Sequence, residues 1–353
     1  MPRQSSGSRG AVPEADLPAR WESEEWLAGL EAWLVPALEA AGVRTTAPVV
    51  RDRVRFWSVV ARVETDAGRV WVKENAPSQA FEAALVESVD ALVPDAVATP
   101  LAVDRERGWL ATADLGPPMW HGEQAPPLDD WVAVLQAWAA VQQRVAEHAD
   151  ALLATGVPTF PERPAEVVAW VEHLVENSRA LPDADPRRLD DAETEAVVDG
   201  LPRLRDAAQR LAASGIPPSL QHNDLHLGNA FRRPGGTIAF IDLGDALWTH
   251  PFTAARIPVW IVRNRLELDP GGPELRRAVD AYLEPWTDRW DRTTLRDLLA
   301  DAERISCLHR AESWRRLQAD VPVHRVDEPF LRSVPEWLVD AAAPDPYASA
   351  IAR

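Results

Sequence analysis

The chain has 353 residues, a 46% hydrophobic composition and a net charge of −18. That length suits two domains with sizeable cores, and the charge argues against nucleic acid as a partner, because neutralising phosphates needs a basic face. No apolar run approaches the ~18 residues of a membrane span, and the single Cys307 leaves no internal disulfide. These features predict a cytoplasmic protein with no membrane partner and leave the oligomeric state open.

Residues 1–20 are rich in Pro, Ser, Gly and Arg, lack an apolar stretch, and read as a disordered tail rather than a signal peptide. From Glu22 to Ala41 apolar residues recur at helical spacing, and Gly42 ends the run. Val54 to Val63 and Arg69 to Lys73 are strand-like and joined by Thr65-Asp66-Ala67-Gly68, a hairpin signal. Ser78 to Leu92 carries a helical stripe (Phe81, Leu85, Val89, Leu92), and two more strands are expected at Val97–Val103 and Trp109–Ala113. After Gly116-Pro117-Pro118 the pattern turns helical: Trp131–His148, Pro164–Arg179, Ala192–Ser214, Leu275–Trp286 and Leu295–Leu317 are predicted helices, with a loop at Leu181–Arg187. The expected organisation is a β-rich unit to residue 116 and a larger helical unit over 117–353.

The charge is uneven. Residues 121–200 hold 16 Asp and Glu against 5 Arg. Solvated helix faces are one reading; a cleft wall that attracts a cationic substrate is the other.

Residues 222–229 read His-Asn-Asp-Leu-His-Leu-Gly-Asn, and thirteen positions after Asn229 a strand-like run reaches Asp242. The segment between contains Pro234-Gly235-Gly236, so a hairpin folds Asp242 back beside Asn229. Phosphoryl transfer needs positioning and charge cancellation rather than covalent work by the protein. Asp224 is placed to orient the accepting hydroxyl or take its proton, while Asn229 and Asp242 supply the hard oxygen ligands that Mg²⁺ prefers. His222 is expected to brace the backbone; His226 either holds the loop or touches a phosphate. Of 37 Lys and Arg residues only Lys73 is lysine, at the end of a strand, where a compact ammonium suits phosphate oxygens better than a planar guanidinium. Its acidic partner is expected on the following helix, at Glu82 in preference to Glu87, since Glu74 would face the opposite side of the strand. Asp245 is read as a support to the metal site or a helix cap. No Gly-x-Ser-x-Gly motif points to a hydrolase.

With these residues in hand, the chain resembles the aminoglycoside phosphotransferase family of small-molecule kinases over roughly residues 43–320. The resemblance rests on the 222–229 loop, on Ile241-Asp242-Leu243-Gly244-Asp245-Ala246, on Val70-Trp71-Val72-Lys73 with Phe81-Glu82-Ala83-Ala84-Leu85, and on Trp109 to Gly116. It implies an α+β, two-lobed protein-kinase-like fold: an N-terminal nucleotide-binding lobe over 21–116 and a helical C-terminal lobe over 117–353. It implies ATP (or GTP) and Mg²⁺ as cofactors, Asp224 as catalytic base, Asn229 and Asp242 as metal ligands, and Lys73 on the nucleotide phosphates. The strand and linker from Trp109 to Gly116, with Ala113 as the binding residue, would hold the adenine by backbone bonds. No glycine-rich loop precedes Lys73; Arg55-Phe56-Trp57-Ser58 stands in its place, with Ser58 as a candidate phosphate donor. The acceptor is a small-molecule hydroxyl, for which a cationic aminoglycoside-like compound, a sugar and an amino alcohol are open. The alternative from another class is a non-catalytic nucleotide-binding regulatory protein, but Lys73, Asp224, Asn229 and Asp242 are all retained.

Overall fold

The computed structural model describes residues 16–345. Two helices lead the chain, α1 (Leu17–Glu22) and α2 (Glu24–Ala40). Five strands follow, β1 (Val50–Val54), β2 (Ser58–Thr65), β3 (Gly68–Asn75), β4 (Pro100–Asp104) and β5 (Trp109–Ala113), with α3 (Glu82–Leu92) between β3 and β4. They form one antiparallel sheet in the order β1-β2-β3-β5-β4. Then come α4 (Leu128–Ala146), α5 (Ala149–Leu153), α6 (Pro164–Arg179), α7 (Asp191–Ala213), the short strands β6 (Ser219–Gln221), β7 (Ala230–Arg232), β8 (Ile238–Phe240) and β9 (Leu247–Thr249), and α8 (Arg256–Arg265), α9 (Pro273–Leu283), α10 (Arg292–Asp320) and α11 (Ser333–Ala342). This is an α+β fold with an N-terminal sheet and a helical C-terminal part. No helix among the described residues is long and apolar enough to cross a membrane.

Three expectations need correction. Residues 1–15 of the expected tail lie outside the described residues, but 17–20 are helical: Asp16 caps α1 through its bond from Ala19 N–H, and Trp21 is fully buried. The strand expected over Val54–Val63 is two strands, because the chain reverses at Arg55–Trp57, where Arg55 N–H reaches Ser58 O at 2.8 Å. The helix expected from Ser78 begins at Glu82; before it Pro77–Gln79 is a single 3₁₀ turn.

The two halves are joined by more than the covalent linker. Phe240 and the segment before β4 exchange backbone bonds (Phe240 N–H to Ala96 O, 2.9 Å; Ala98 N–H to Phe240 O, 3.2 Å). The β1–β2 tip reaches the other half as well. Trp57 meets Trp314 of α10 edge-on at 6.1 Å and Phe330 at 5.3 Å, and Phe56 lies 6.1 Å from Phe330. Asp16 pairs with Arg325 on the same C-terminal segment. The sheet is therefore tied to the helical half at both ends of the cleft between them.

Candidate active site

Alternation along β3 sends Lys73 to the cleft and Glu74 to the back of the sheet. Lys73 Nζ lies 2.7 Å from Glu82 Oε2 and 2.5 Å from Asp242 Oδ1. Glu87 instead pairs with Arg105 at the surface, 2.6 Å away. Glu82 is buried and also accepts from Asn75 and, at 2.7 Å, from Leu243 N–H, so it joins β3, α3 and the loop carrying Asp242. Burial disfavours the Lys73 charge, yet the carboxylates of Asp242 and Glu82 outweigh it and raise the ammonium's pKa above its ordinary value. Behind the sheet, Glu74 accepts the indole N–H groups of Trp21 (3.0 Å), Trp26 (2.7 Å) and Trp109, together with the Arg20 guanidinium. Sequence reading gave Glu74 a face but no partners, because three tryptophans so far apart in the chain carry no spacing signal.

The catalytic-type loop follows β6. His222 is fully buried; its Nε2–H donates to Ile241 O at 3.0 Å, and burial lowers its pKa. A ring held neutral in this way braces the chain. Asn223 has φ +64°, an unfavourable region for a side-chain-bearing residue. Its amide donates to His309 O (3.2 Å) and its carbonyl accepts from Arg310 (3.0 Å), both on α10. The turn sets Asp224 beside His226 and Arg310, 3.6 and 3.7 Å away. Burial works against the Asp224 charge, but Arg310 and His226 outweigh it and hold the carboxyl well below the usual range. His226 accepts Gly228 N–H at Nδ1 (3.0 Å), which leaves its proton on Nε2, 3.6 Å from Asp224 Oδ2. A Cβ on Gly228 would stand 2.8 Å from His226 Cε1, so that close approach requires glycine.

The β7–β8 hairpin pairs Ala230 with Phe240 and Arg232 with Ile238, and Ile241 N–H donates to Asn229 O at 3.1 Å. This register sets Asp242 just beyond Asn229. Asp242 has φ +66° and a half-exposed carboxylate. Burial disfavours its charge too, and the Lys73 ammonium outweighs that and lowers its pKa. Asn229 donates its amide N–H to Asp224 O (3.1 Å), which leaves Oδ1 available. An amide oxygen and a carboxylate at adjacent positions are a hard oxygen set that fits Mg²⁺ completed by phosphate and water oxygens. Among the described residues no three His, Cys, Asp or Glu side chains cluster tightly enough to cage a metal without such help.

Lys73, Glu82 and Asp242 line a cavity of about 360 Å³ between the sheet and the helical half, while Asp224 and Asn229 lie on the adjoining loop outside its lining. Val60, Val72, Lys73, Leu110 and Ala113 line it from the sheet, Leu115 and Gly116 from the linker, and Phe231, Phe240, Ile241 and Asp242 from the helical half. The Ala113 N–H is committed to Thr99 O (3.2 Å) and the Asp114 N–H to Arg69 O (3.0 Å), so Ala113 contributes to the wall rather than an amide donor. Ser58 is not brought to the cavity lining. It opens β2 opposite Asn75 and is buried, while the tip before it turns onto Trp314 and Phe330. Asp245 accepts from Gln79 (2.6 Å), Ser313 and Arg310 (3.1 Å), which makes it a junction between the loop, α10 and the sheet half. Some carboxylates of the acidic segment pair with arginines, among them Asp129 with Arg277, Asp130 with Arg232, Asp185 with Arg187 and Glu193 with Arg332, and none of the segment's residues lines the cavity.

A sequence profile of the phosphotransferase enzyme family (APH) matches residues 25–253 and spans the lysine strand, its glutamate helix, the 222–229 loop and Asp242. The chain belongs to this family. It is a small-molecule kinase. No curated protein matches the sequence. Solved structures share the fold at low identity. A choline kinase from Streptococcus pneumoniae superposes with a TM-score of 0.56 and 12% identity, covering 90% of this chain and 98% of that one. An ethanolamine kinase from Plasmodium vivax gives 0.55 and 14%, covering 84% and 82%. A macrolide 2′-phosphotransferase from Brachybacterium faecium gives 0.51 and 17%, covering 90% and 98%.

Proposed function

We propose that this phosphotransferase moves the γ-phosphoryl group of ATP, or GTP, to a hydroxyl of a small molecule. The observation that carries the reading is the convergence of Lys73, Glu82 and Asp242 at the edge of the cavity, with Asp224 held ionised on the adjoining loop. The structure of an amicoumacin kinase with a similar fold, TM-score 0.50, carries AMP-PNP and Ca²⁺, which supports a nucleotide in the corresponding cleft here. In this reading the apolar walls from Val60, Leu110 and Phe240 take the base, and Lys73 faces the phosphates. Asn229 and Asp242 would hold Mg²⁺, whose chemistry is to cancel charge on the phosphate oxygens. Asp224 accepts the hydrogen bond of the acceptor hydroxyl and fixes it in line for attack. Its depressed pKa suits orientation of that hydroxyl and receipt of the proton late in the transfer.

Kinases for choline, ethanolamine and macrolides share the fold, so fold alone selects no acceptor. No carboxylate of the acidic segment lines the cavity, so the segment's charge does not by itself select a polycation. The test is ADP release with Mg·ATP and a panel of amino alcohols, sugars, macrolides and aminoglycosides, with Asp224→Ala as control. Acceptor-dependent release that vanishes in the control is expected. Tight nucleotide binding with equal release in both proteins on every acceptor would favour a non-catalytic binding protein.

A further inference from the structure

Two backbone turns carry the chemistry, and both are strained. Asn223, before Asp224, has φ +64°, and Asp242 itself has φ +66°. Asn and Asp enter this left-handed region more readily than other side-chain-bearing residues, but it remains less favourable than the extended and right-handed regions. Each turn therefore needs a fixed anchor outside itself.

One side chain reaches both. Arg310 Nη1 donates to Asn223 O at 3.0 Å and to Asp245 Oδ2 at 3.1 Å, and lies 3.7 Å from Asp224 Oδ1. Its guanidinium stands over the rings of Trp314 (5.7 Å) and Trp337 (5.9 Å), and the residue is 7% exposed. The aromatic packing leaves the fork little freedom. α10 adds a bond on either side: the Asn223 amide to His309 O, and Ser313 Oγ to Asp245. Arg310 thus ties the first turn to the second from the α10 side, while the His222–Ile241 bond links them on the other.

We propose that Arg310 is a positioning residue that fixes the separation of the Asp224 and Asp242 loops. The proposal rests on the phosphotransferase reading for its consequence in turnover, and on geometry for the tie itself. A hydroxyl oriented by Asp224 must meet a phosphoryl group held from the Asp242 side, so a drift of about 1 Å between the loops costs on the order of a hundredfold in rate. Lysine offers a single point of attachment in place of a planar fork and holds the two loops less well.

The experiment uses the full chain as wild type, Arg310→Met, Arg310→Lys and Arg310→Ala, with two readouts. Amide hydrogen exchange over 222–229 and 242–246 needs no acceptor and reports the tie directly. The expected result is about tenfold or faster opening of both segments in Arg310→Met, with exchange in the β1–β5 sheet unchanged and Arg310→Lys intermediate. Steady-state kinetics with Mg·ATP and an active acceptor should show kcat reduced ~100-fold in Arg310→Met with both KM values within about threefold. Guanidinium ion should restore part of kcat to Arg310→Ala. Unchanged exchange in both segments, or a change in only one, overturns the tie. A raised acceptor KM with normal kcat overturns it in favour of an acceptor ligand. If wild type turns over no acceptor, the functional reading has failed while exchange still decides the tie. If Arg310→Met does not fold, Arg310→Lys carries the same comparison.

Discussion

Lys73 Nζ lies 2.5 Å from Asp242 Oδ1 across 169 residues of sequence, and the same nitrogen lies 2.7 Å from Glu82 Oε2. The ammonium is compact enough to stand between two carboxylates, one fixed by Leu243 N–H and the other on a strained turn. A guanidinium would direct its donors as a wide fork and push one carboxylate aside. Lys73→Arg is therefore expected to lower kcat/KM for ATP by about a hundredfold with the charge retained. Steady-state kinetics at saturating acceptor checks this; kinetics equal to wild type would make the solitary lysine incidental.

Glu82 and Glu87 separate the same idea cleanly. Glu82 is buried and bound by Lys73, Asn75 and Leu243, whereas Glu87 faces solvent with Arg105. Removing the charge at Glu82 leaves the partly buried Lys73 ammonium with Asp242 alone and weakens the acceptor of Leu243 N–H, a loss of roughly 2 kcal/mol. Glu87→Gln should stay within ~0.5 kcal/mol of wild type, as exposed pairs do. Urea unfolding of both variants is the measurement, and equal losses would contradict the assignment of partners.

Where a glycine-rich cover would stand, the β1–β2 tip is an aromatic contact with the helical half. Phe56 is buried, and with Trp57 it packs against Phe330 and Trp314 of the helical half. Phe56→Ala should cost about 3 kcal/mol in stability as a truncated buried aromatic. It should also speed nucleotide release, because the sheet is freed at the end away from the linker. Stopped-flow displacement of a fluorescent nucleotide measures the second effect, and an unchanged release rate would show that this contact does not restrain the cleft.

Why these features differed in legibility is a matter of range. Asp224, Asn229 and Asp242 sit within one loop and one hairpin, so local spacing brought them together before any coordinates. Lys73 was visible through composition. The Glu74 cluster, the Trp57–Trp314 contact and Arg310 join segments 35 to hundreds of residues apart with no repeating interval, and nothing local marks them. Helices α8 and α11 escaped for another reason: Pro258 and Pro335 lie within short segments whose apolar pattern reads as loop. Ser58 was placed by analogy with a phosphate-covering loop, and the aromatic tip turned that segment elsewhere.

Glu74 offers a test of the back of the sheet. Its carboxylate accepts from Trp21, Trp26, Trp109 and Arg20, and so fastens α1 and α2 behind the strand that carries Lys73. Glu74→Gln replaces one acceptor oxygen with an amide that faces indole N–H groups, which cannot accept from it. A loss of about 2 kcal/mol is expected, the scale of a charge-assisted bond left unmade. Tryptophan fluorescence should report loosening of the leading helices before global unfolding. A single transition at the wild-type midpoint would refute the anchoring role.

The buried histidines give a pH dependence with a definite sign. Burial lowers the pKa of His309 to about 3 from an ordinary 6.5, and its Nδ1–H donates to Gln221 Oε1 at 2.8 Å. Burial likewise lowers His250 to about 3. In the unfolded chain each ring takes up a proton near pH 6.5, whereas the folded protein takes none until far lower. The unfolded state therefore binds more protons across this window, and stability falls as pH drops from 6.5 toward 3, by up to about 1.4 kcal/mol per pH unit for each ring. His309→Asn keeps an N–H donor for Gln221 and removes the titration. Unfolding free energies at pH 7.5 and 5.0 should differ less in this variant than in wild type. An identical pH difference in the two proteins would mean that His309 binds its proton as readily in the fold as in the unfolded chain, against its burial beside the Phe160 ring, 4.5 Å away.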